Sequence, residues 1–194
     1  VTVTEILKKF ERDNQNFYDN KKNNLEQYDK TFQETGKYAK IIFDTVKKLG
    51  VLDDTIIIFF TDHGTGIGER FGERNYGSFT YEETIRTFYH FIGHGIKKKN
   101  VSESLKSTID ILPTILDLCD LTPMKNINGK SFAAFLKGDE KILKEREFTF
   151  SETGALHGPY PSPEHSNVFC IKSPYYKLIY QKDPKKWELY DLLK

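Results

Sequence analysis

The sequence has 194 residues, which is enough for one ordinary domain of about 100–200 residues. Apolar residues make up 38% of the chain, with 15 Phe and 11 Tyr, and this supply of core material argues against a disordered chain. Lysine plus arginine (29) nearly balances aspartate plus glutamate (28), so the net charge of +1 predicts no nucleic-acid partner and no anionic membrane surface.

The cysteine content and the chain ends add further limits. Two cysteines, Cys119 and Cys170, exclude a disulfide-rich scaffold and a four-cysteine zinc site, and we expect two buried free thiols, with a single disulfide as the alternative. No apolar run approaches the roughly 20 residues of a membrane helix, so no membrane span is predicted. The chain starts at Val1 in a polar stretch and stops at Lys194 directly after a strand-like segment, so we interpret it as a piece of something longer. Neither localisation nor oligomeric state is predicted.

A helix and a strand are the first elements that the sequence predicts clearly. Apolar residues from Leu25 to Leu49 recur mostly at spacings of three, four and seven, which indicates one face of a helix, and Gly50 follows as its stop signal. The five consecutive apolar residues 56–60 then predict a strand covered on both faces, as in the interior of a mostly parallel sheet. Helix, turn and strand together predict half of an α/β unit.

Weaker signals predict the elements that follow. Residues 88–92 are typical of a strand, and residues 131–136 of a short helix. Residues 107–121 predict a capped helix in which Pro113 allows either a kink or a later start. In the remainder of the chain, short aromatic or β-branched runs separated by prolines predict a small antiparallel sheet. These runs are residues 147–151, 168–172, 176–181 and 188–192.

Asp62 and His63 follow the predicted strand and begin a glycine-rich loop. In open α/β sheets, ligands bind beyond the carboxyl ends of the strands. The chain leaves the pleat there, so both side chains can turn towards one ion, to which aspartate offers a hard oxygen and a neutral imidazole offers nitrogen. By itself the tripeptide favours a plainer interpretation, in which Asp62 caps a turn and His63 bonds to backbone. The preceding strand, the glycines and the segments that follow favour the metal site.

Several segments, taken together, resemble the sulfatase family of the alkaline-phosphatase-like superfamily. The strand with its Asp-His-Gly end resembles the metal-binding segment of that family, and a Tyr-Glu-Glu-x-x-Arg stretch and an Asp-x-x-Pro-Thr helix follow in family order. The resemblance extends over roughly residues 25–194. The matching segments are residues 55–64 with 68–69, 81–86, 107–118, 127–132 with 136–138, 176–179 and 188–192.

The resemblance implies both a fold and an activity. The fold is α/β: residues 1–145 would be the C-terminal part of an alkaline-phosphatase-like mixed sheet with flanking helices, and residues 146–194 a truncated antiparallel subdomain. The activity is hydrolysis of a sulfate ester, in a sulfated glycan or small molecule, at a divalent cation that is usually Ca²⁺. Asp62 and His63 map onto ligands of that cation, which acts as Lewis acid and template.

The sequence departs from the family pattern in two places. The formylglycine nucleophile arises within a Cys/Ser-x-Pro-x-Arg motif, which this sequence lacks, so the nucleophile is expected upstream of Val1 and this chain alone is expected to be inactive. The family also places Lys or His shortly before the Tyr-Glu-Glu stretch, where this chain has Asn75 and Tyr76. The candidates for substrate binding are therefore Tyr76, Arg70 in the same loop, and His157, which is also a candidate for a second metal.

Two alternatives stay open. One is a phosphoesterase or phosphotransferase of the same superfamily that uses Zn²⁺ or Mn²⁺. The other is a catalytically inactive, sulfatase-like binding protein. For single residues, Glu69 either supports the metal loop or bonds to the loop amides, and Glu83 with Arg86 predicts a structural ion pair at helical spacing.

Overall fold

The structure is a computed structural model that describes residues 15–70, 79–98, 104–139, 146–154, 165–182 and 185–194. The α-helices are α1 (Lys21–Lys48), α2 (Glu82–Ile85), α3 (Ile111–Leu118) and α4 (Ala133–Leu136). The strands are β1 (Ile57–Phe60), β2 (Tyr89–Ile92), β3 (Thr149–Thr153), β4 (Val168–Lys172), β5 (Tyr176–Gln181) and β6 (Lys186–Asp191). Short 3₁₀ helices span Leu52–Asp54 and Thr108–Asp110.

Helix α1 confirms the helix that the apolar spacing predicts. It ends where the stop signal stands, since Gly50 has a φ of 72°, a left-handed conformation that glycine adopts without strain. The apolar stripe is exposed along the helix, with Phe32 and Ile42 at 54% and 57% of full exposure. Phe32 packs edge to face on Phe88, with ring centroids 6.4 Å apart, and so links α1 to the segment before β2.

Strand β1 pairs with β2 in a two-stranded antiparallel sheet, with Ile57 opposite Ile92 and Phe60 opposite Tyr89. Within the described residues β1 has no parallel neighbour and is only half-buried, so the prediction of a strand covered on both faces of a mostly parallel sheet is wrong there. The reason is that an unbroken apolar run records a tendency to be buried and carries no information on the direction of the partner strand.

Helices α3 and α4 confirm the next two predicted helices. Ser107 and Asp110 form a reciprocal capping box at the start of the 3₁₀ turn that leads into α3. Pro113 lies in the first turn of α3, where a backbone N–H has no obligatory partner, so no kink is needed. A cluster of Phe91, Phe135 and Leu136 forms the core between β2 and α4.

Strands β3 to β6 form the predicted small antiparallel sheet, in the order β3-β4-β5-β6. Val168, Cys170 and Ile179 are buried on one face. On the sheet, Trp187 stacks on Tyr180 with ring centroids 4.3 Å apart. Partly buried side chains from before and within α2 and from β6 cover the buried face; these are Phe79, Tyr81, Ile85 and Tyr190.

Both cysteines are free thiols. Cys170 is buried as expected, but Cys119 is exposed at the end of α3, so the expectation of two buried thiols is wrong for Cys119. Along the described ranges, no helix combines the length and apolar character needed to cross a membrane.

Candidate metal centre

The end of β1 places Asp62 and His63 just beyond the sheet. The backbone N–H of Thr61 still bonds to the carbonyl of Phe88 at 3.3 Å, and the Phe88 N–H donates to the Thr61 hydroxyl at 3.3 Å. Asp62 is therefore the first residue released from the pairing with the segment leading into β2. Its side chain is 83% exposed and that of His63 is 45% exposed, so a ligand can approach both.

The two side chains converge at the same point. Oδ2 of Asp62 lies 3.6 Å from Nε2 of His63. Adjacent ligands of a single ion with bonds of about 2.4 Å are about 3.4 Å apart at a right angle, so the observed separation fits a shared cation. The two side chains are thus close enough to share an ion, and the backbone bonds of the plainer interpretation are present as well.

Contacts with the backbone orient the carboxylate of Asp62 and the imidazole of His63. The backbone N–H of His63 donates to Oδ1 of Asp62 at 2.9 Å, which orients the carboxylate and leaves Oδ2 on the side of the imidazole. Nδ1 of His63 lies 2.7 Å from the carbonyl of Gly64, which only accepts, so in the neutral form of the ring Nδ1 is the nitrogen that carries the proton and Nε2 is the one with the lone pair. A carboxylate oxygen and an imidazole lone pair are both donors that divalent cations use.

The pair supplies part of a coordination sphere. No group of three or more His, Cys, Asp or Glu residues that could hold a metal ion occurs in the part of the chain that the structure describes. Two ligands fill only part of the roughly six to eight positions around Ca²⁺, so the remaining ligands of such a cation would come from elsewhere. The Asp62 oxygen suits the hard cations Ca²⁺ and Mn²⁺, whereas the His63 nitrogen suits Zn²⁺, so this pair alone does not select one of the three.

Gly64 fits the site loop tightly against α2. Its N–H donates to the carbonyl of Thr84 at 2.8 Å. A Cβ placed on Gly64 would overlap the carbonyl oxygen of Glu83 and lie 3.2 Å from that of Arg86. Glycine is therefore required here because of the close approach of two backbone segments, and this explains the third residue of the Asp-His-Gly motif.

Helix α1 and Glu69 hold the middle of the loop. The side-chain amide of Asn24, near the start of α1, donates to the carbonyl of Ile67 at 3.0 Å. Oε2 of Glu69 accepts from the N–H of Ile67 at 2.7 Å, so of its two predicted roles the bond to a loop amide is the one observed. Sequence reasoning missed Asn24, because it lies 43 residues from its partner and no local pattern marks it.

The remaining candidates differ in how far the structure describes them. Nε of Arg70 bonds to Oε1 of Glu83 at 2.7 Å, so its charge is engaged within the molecule. The predicted pair of Glu83 with Arg86 is wrong, because α2 ends at Ile85 and Arg86 is extended, which takes it off the helix face. Tyr76 and His157 lie outside the described residues.

Comparison with known proteins shows the family to which the chain belongs. The family model described as Sulfatase matches residues 4–121, and the model described as N-sulphoglucosamine sulphohydrolase, C-terminal, matches residues 72–194. The chain belongs to the sulfatase family. The helix, strand and Asp-His-Gly loop described above lie within the first match.

Individual relatives agree with this assignment. The Delta 4,5-hexuronate-2-O-sulfatase of Bacteroides thetaiotaomicron is 31% identical over 144 residues, which are 73% of this chain and 29% of the relative. The N-acetylglucosamine-6-O-sulfatase of the same organism is 28% identical over 158 residues, 78% of this chain and 27% of the relative. The solved phosphonate monoester hydrolase of Silicibacter pomeroyi has a TM-score of 0.70 at 24% identity, over 81% of this chain and 32% of its own, which shows the fold alone. The chain thus spans less than a third of each.

Proposed function

We propose that the protein is a sulfuric ester hydrolase and that Asp62 and His63 hold its divalent cation. The observation that carries the proposal is the 3.6 Å approach of the Asp62 carboxylate to the imidazole lone pair of His63, at the end of a strand in a sulfatase-family chain. Both groups are exposed, and a bond to the next carbonyl orients the imidazole, so they present donors outward.

The proposed cation is Ca²⁺, and its chemistry is that of a Lewis acid that polarises a sulfate oxygen and orients the attacking group. What this chain contributes is the geometry of two ligands. Asp62 supplies negative charge and a hard oxygen, and His63 supplies a neutral nitrogen whose direction the Gly64 carbonyl determines. The loop glycine allows the backbone next to both ligands to pack closely on Glu83.

The proposed substrate class is a sulfated glycan. Two relatives are named for the removal of sulfate from hexuronate and from N-acetylglucosamine. A related solved structure, 26% identical with a TM-score of 0.61, is described in complex with its substrate D-glucosamine-2-N,6-O-disulfate. A phosphoesterase or an inactive binding protein is less well supported, because these sequence relatives carry sulfatase names and the ligand pair is intact.

The test uses Asp62→Ala in the full-length protein. We expect the variant to lose its bound cation and to hydrolyse a chromogenic aryl sulfate or a sulfated disaccharide at least ~100-fold more slowly, because a direct ligand is removed. Metal content per protein and kcat/KM are the measurements. Asp44→Ala is the matched control, since Asp44 is an exposed carboxylate that pairs with Lys40 on α1.

Wild-type metal content and turnover in Asp62→Ala would refute the assignment of the site. Faster hydrolysis of phosphate esters than of sulfate esters by the wild-type protein would favour the phosphoesterase alternative instead.

A further inference from the structure

Arg70, at the far end of the loop that begins with Asp62, lies against the C-terminal sheet. Its guanidinium carbon is 4.1 Å from the ring centroid of Tyr81 and 5.8 Å from that of Tyr190. Both distances fall within the roughly 6 Å over which a cation is attracted to an aromatic face. The same guanidinium bonds to Glu83, so Arg70 has three partners: Tyr81 directly before α2, Glu83 within α2 and Tyr190 in β6.

A shared carboxylate holds the two tyrosines, and we call Tyr81, Glu188 and Tyr190 the tyrosine platform. The Tyr81 hydroxyl donates to both carboxylate oxygens of Glu188, at 3.0 and 3.1 Å, and the Tyr190 hydroxyl donates to Oε2. Burial and the bond to Glu188 raise the pKa of Tyr81, so its hydroxyl remains a donor at neutral pH. The rings meet edge to face at 89°, with centroids 6.4 Å apart.

The platform is built on the C-terminal sheet. Glu188 and Tyr190 lie in β6, and both tyrosine rings pack on the buried cluster of Val168, Cys170 and Ile179. The position of a residue that packs on this platform is therefore determined by the C-terminal sheet, and not by a surface side chain that moves freely.

Glu83 connects Arg70 to the metal pair. Its carboxylate, which is largely buried, bonds to Arg70, and its carbonyl is the atom against which Gly64 is fitted. Gly64 directly follows His63, and its carbonyl accepts the hydrogen bond from the imidazole. A chain of contacts therefore runs from Arg70 through Glu83 and Gly64 to the segment that carries the two exposed ligands.

We propose that Arg70 is a positioning residue: it docks the site loop on the tyrosine platform and holds Glu83 against Gly64, so that the C-terminal sheet determines where Asp62 and His63 stand. The inference deepens the proposed function and rests on it, since calcium affinity is one of its readouts.

The experiment compares Arg70→Gln with Arg70→Lys in the full-length protein. Glutamine removes the charge over both rings, whereas lysine keeps a cation there. Hydrogen exchange of amides 61–69, measured without cation, reports the docking of the loop, and calorimetric titration with Ca²⁺ reports the ligand pair. For Arg70→Gln we expect faster exchange and about 10-fold weaker Ca²⁺ binding. Arg70→Lys should restore part of both, because its ammonium keeps the charge without the planar guanidinium.

The controls separate this inference from the proposed function. Lys40→Gln removes one charge from an exposed ion pair on α1 and should change neither readout. Wild-type exchange and Ca²⁺ affinity in Arg70→Gln would overturn the inference, even where Asp62→Ala abolishes binding as proposed. If the wild-type protein binds no Ca²⁺, the proposed function fails and the exchange measurement alone decides on Arg70. If Arg70→Gln does not fold, Tyr190→Phe takes its place in the test. This variant keeps the ring but loses the bond to Glu188, and we expect faster hydrogen exchange of the loop amides. An unchanged exchange rate overturns the inference.

Discussion

The ability of Asp62 and His63 to share an ion depends on where the strand ends. Neighbouring side chains on a regular strand point to opposite faces, so two adjacent residues can share an ion only where the pleat ends. Pairing of the Thr61 backbone with Phe88 places that end directly before Asp62. The sequence predicts the pair because an apolar run gives way to glycines there. It does not predict the tautomer of His63, which a contact with the Gly64 carbonyl determines.

Gly64 offers a test of the close packing under the site. In Gly64→Ala the new methyl group would overlap the Glu83 carbonyl, so the loop or α2 must shift. We expect the free energy of unfolding to fall by about 1–3 kcal/mol, the usual cost of overpacking, and the metal affinity to fall with it. Denaturant unfolding and Ca²⁺ titration are the measurements.

A second glycine provides the matched control for Gly64. Gly36 lies inside α1, and a methyl group added to it would meet no atom within 4 Å. Gly36→Ala should therefore stabilise the protein by roughly 0.5–1 kcal/mol through helix propensity. Equal effects of the two substitutions would show that the approach of Gly64 to Glu83 is not tight.

At the scale of elements, one buried carboxylate joins three segments. Asp110 has no exposed surface and accepts hydrogen bonds from the N–H of Ser107 at 3.0 Å, the N–H of Lys130 at 2.7 Å and the guanidinium of Arg146. The start of α3, the loop before α4 and the segment before β3 are therefore held by one side chain. Since Asp110 stands in the Asp-x-x-Pro-Thr stretch, its burial assigns that motif a structural role.

The contacts of Asp110 predict how stability depends on pH. Burial alone would raise the pKa of Asp110, but the hydrogen bonds from Arg146 and from two backbone amides outweigh it, so the pKa is lowered. A lowered pKa contributes stability above the ordinary value of 3.8, and that contribution is lost as the pH falls through the folded-state pKa. Asp110→Asn should therefore cost about 3–5 kcal/mol near neutrality, since it leaves Arg146 without its charge partner, and less in acid.

Urea unfolding of Asp110→Asn and the wild type, at neutral pH and at successively lower pH, measures this difference. Asp44→Asn is the control, because its carboxylate is exposed and should show no comparable pH dependence. A cost that stays constant into acid would contradict the lowered pKa.

The element types follow from sequence more readily than their pairing does. A stop residue predicted the end of α1, and aromatic or β-branched runs between turn residues predicted all four strands of the C-terminal sheet. The antiparallel pairing of β1 with β2 was not predicted, because an apolar run does not encode the direction of its partner. Lys177 shows the same limit: it is 2% exposed within β5 because it pairs with Glu82, which lies 95 residues earlier. Contacts between residues so far apart in the sequence cannot be predicted from local sequence patterns.

For the molecule as a whole, the order of the motifs predicted more than any one of them. Each segment alone was modest, yet together they predicted the sulfatase family, and family matches over residues 4–121 and 72–194 confirm it. The cation and the substrate stay predictions. The contacts by which α1 and β6 hold the site loop could not be predicted from the sequence, since they join residues that are distant in sequence.

The exposed stripe of α1 predicts how the 194-residue chain behaves when it is produced alone. Large apolar side chains such as Phe32 and Ile42 stand more than half exposed on one helix, and contiguous apolar surface of this kind drives association. We expect the chain to bind the dye ANS and to self-associate at micromolar concentration, as measured by light scattering.

Ile42→Lys should reduce both signals because it interrupts the stripe with a charge. Thr45→Lys, on the same helix, adds the same charge without removing an apolar side chain and is the matched control. Equal effects of the two variants would show that net charge, and not the stripe, controls association.

Because Trp187 stacks on Tyr180, its indole is an intrinsic fluorescence probe of the C-terminal sheet. Trp187 is the single tryptophan of the sequence, and its ring lies 4.3 Å from the ring of Tyr180 in the neighbouring strand. Its fluorescence therefore reports on β6 and its pairing with β5, without any introduced label. Because Glu188, the next residue, anchors the tyrosine platform, emission from one indole follows the strand on which the site loop is docked.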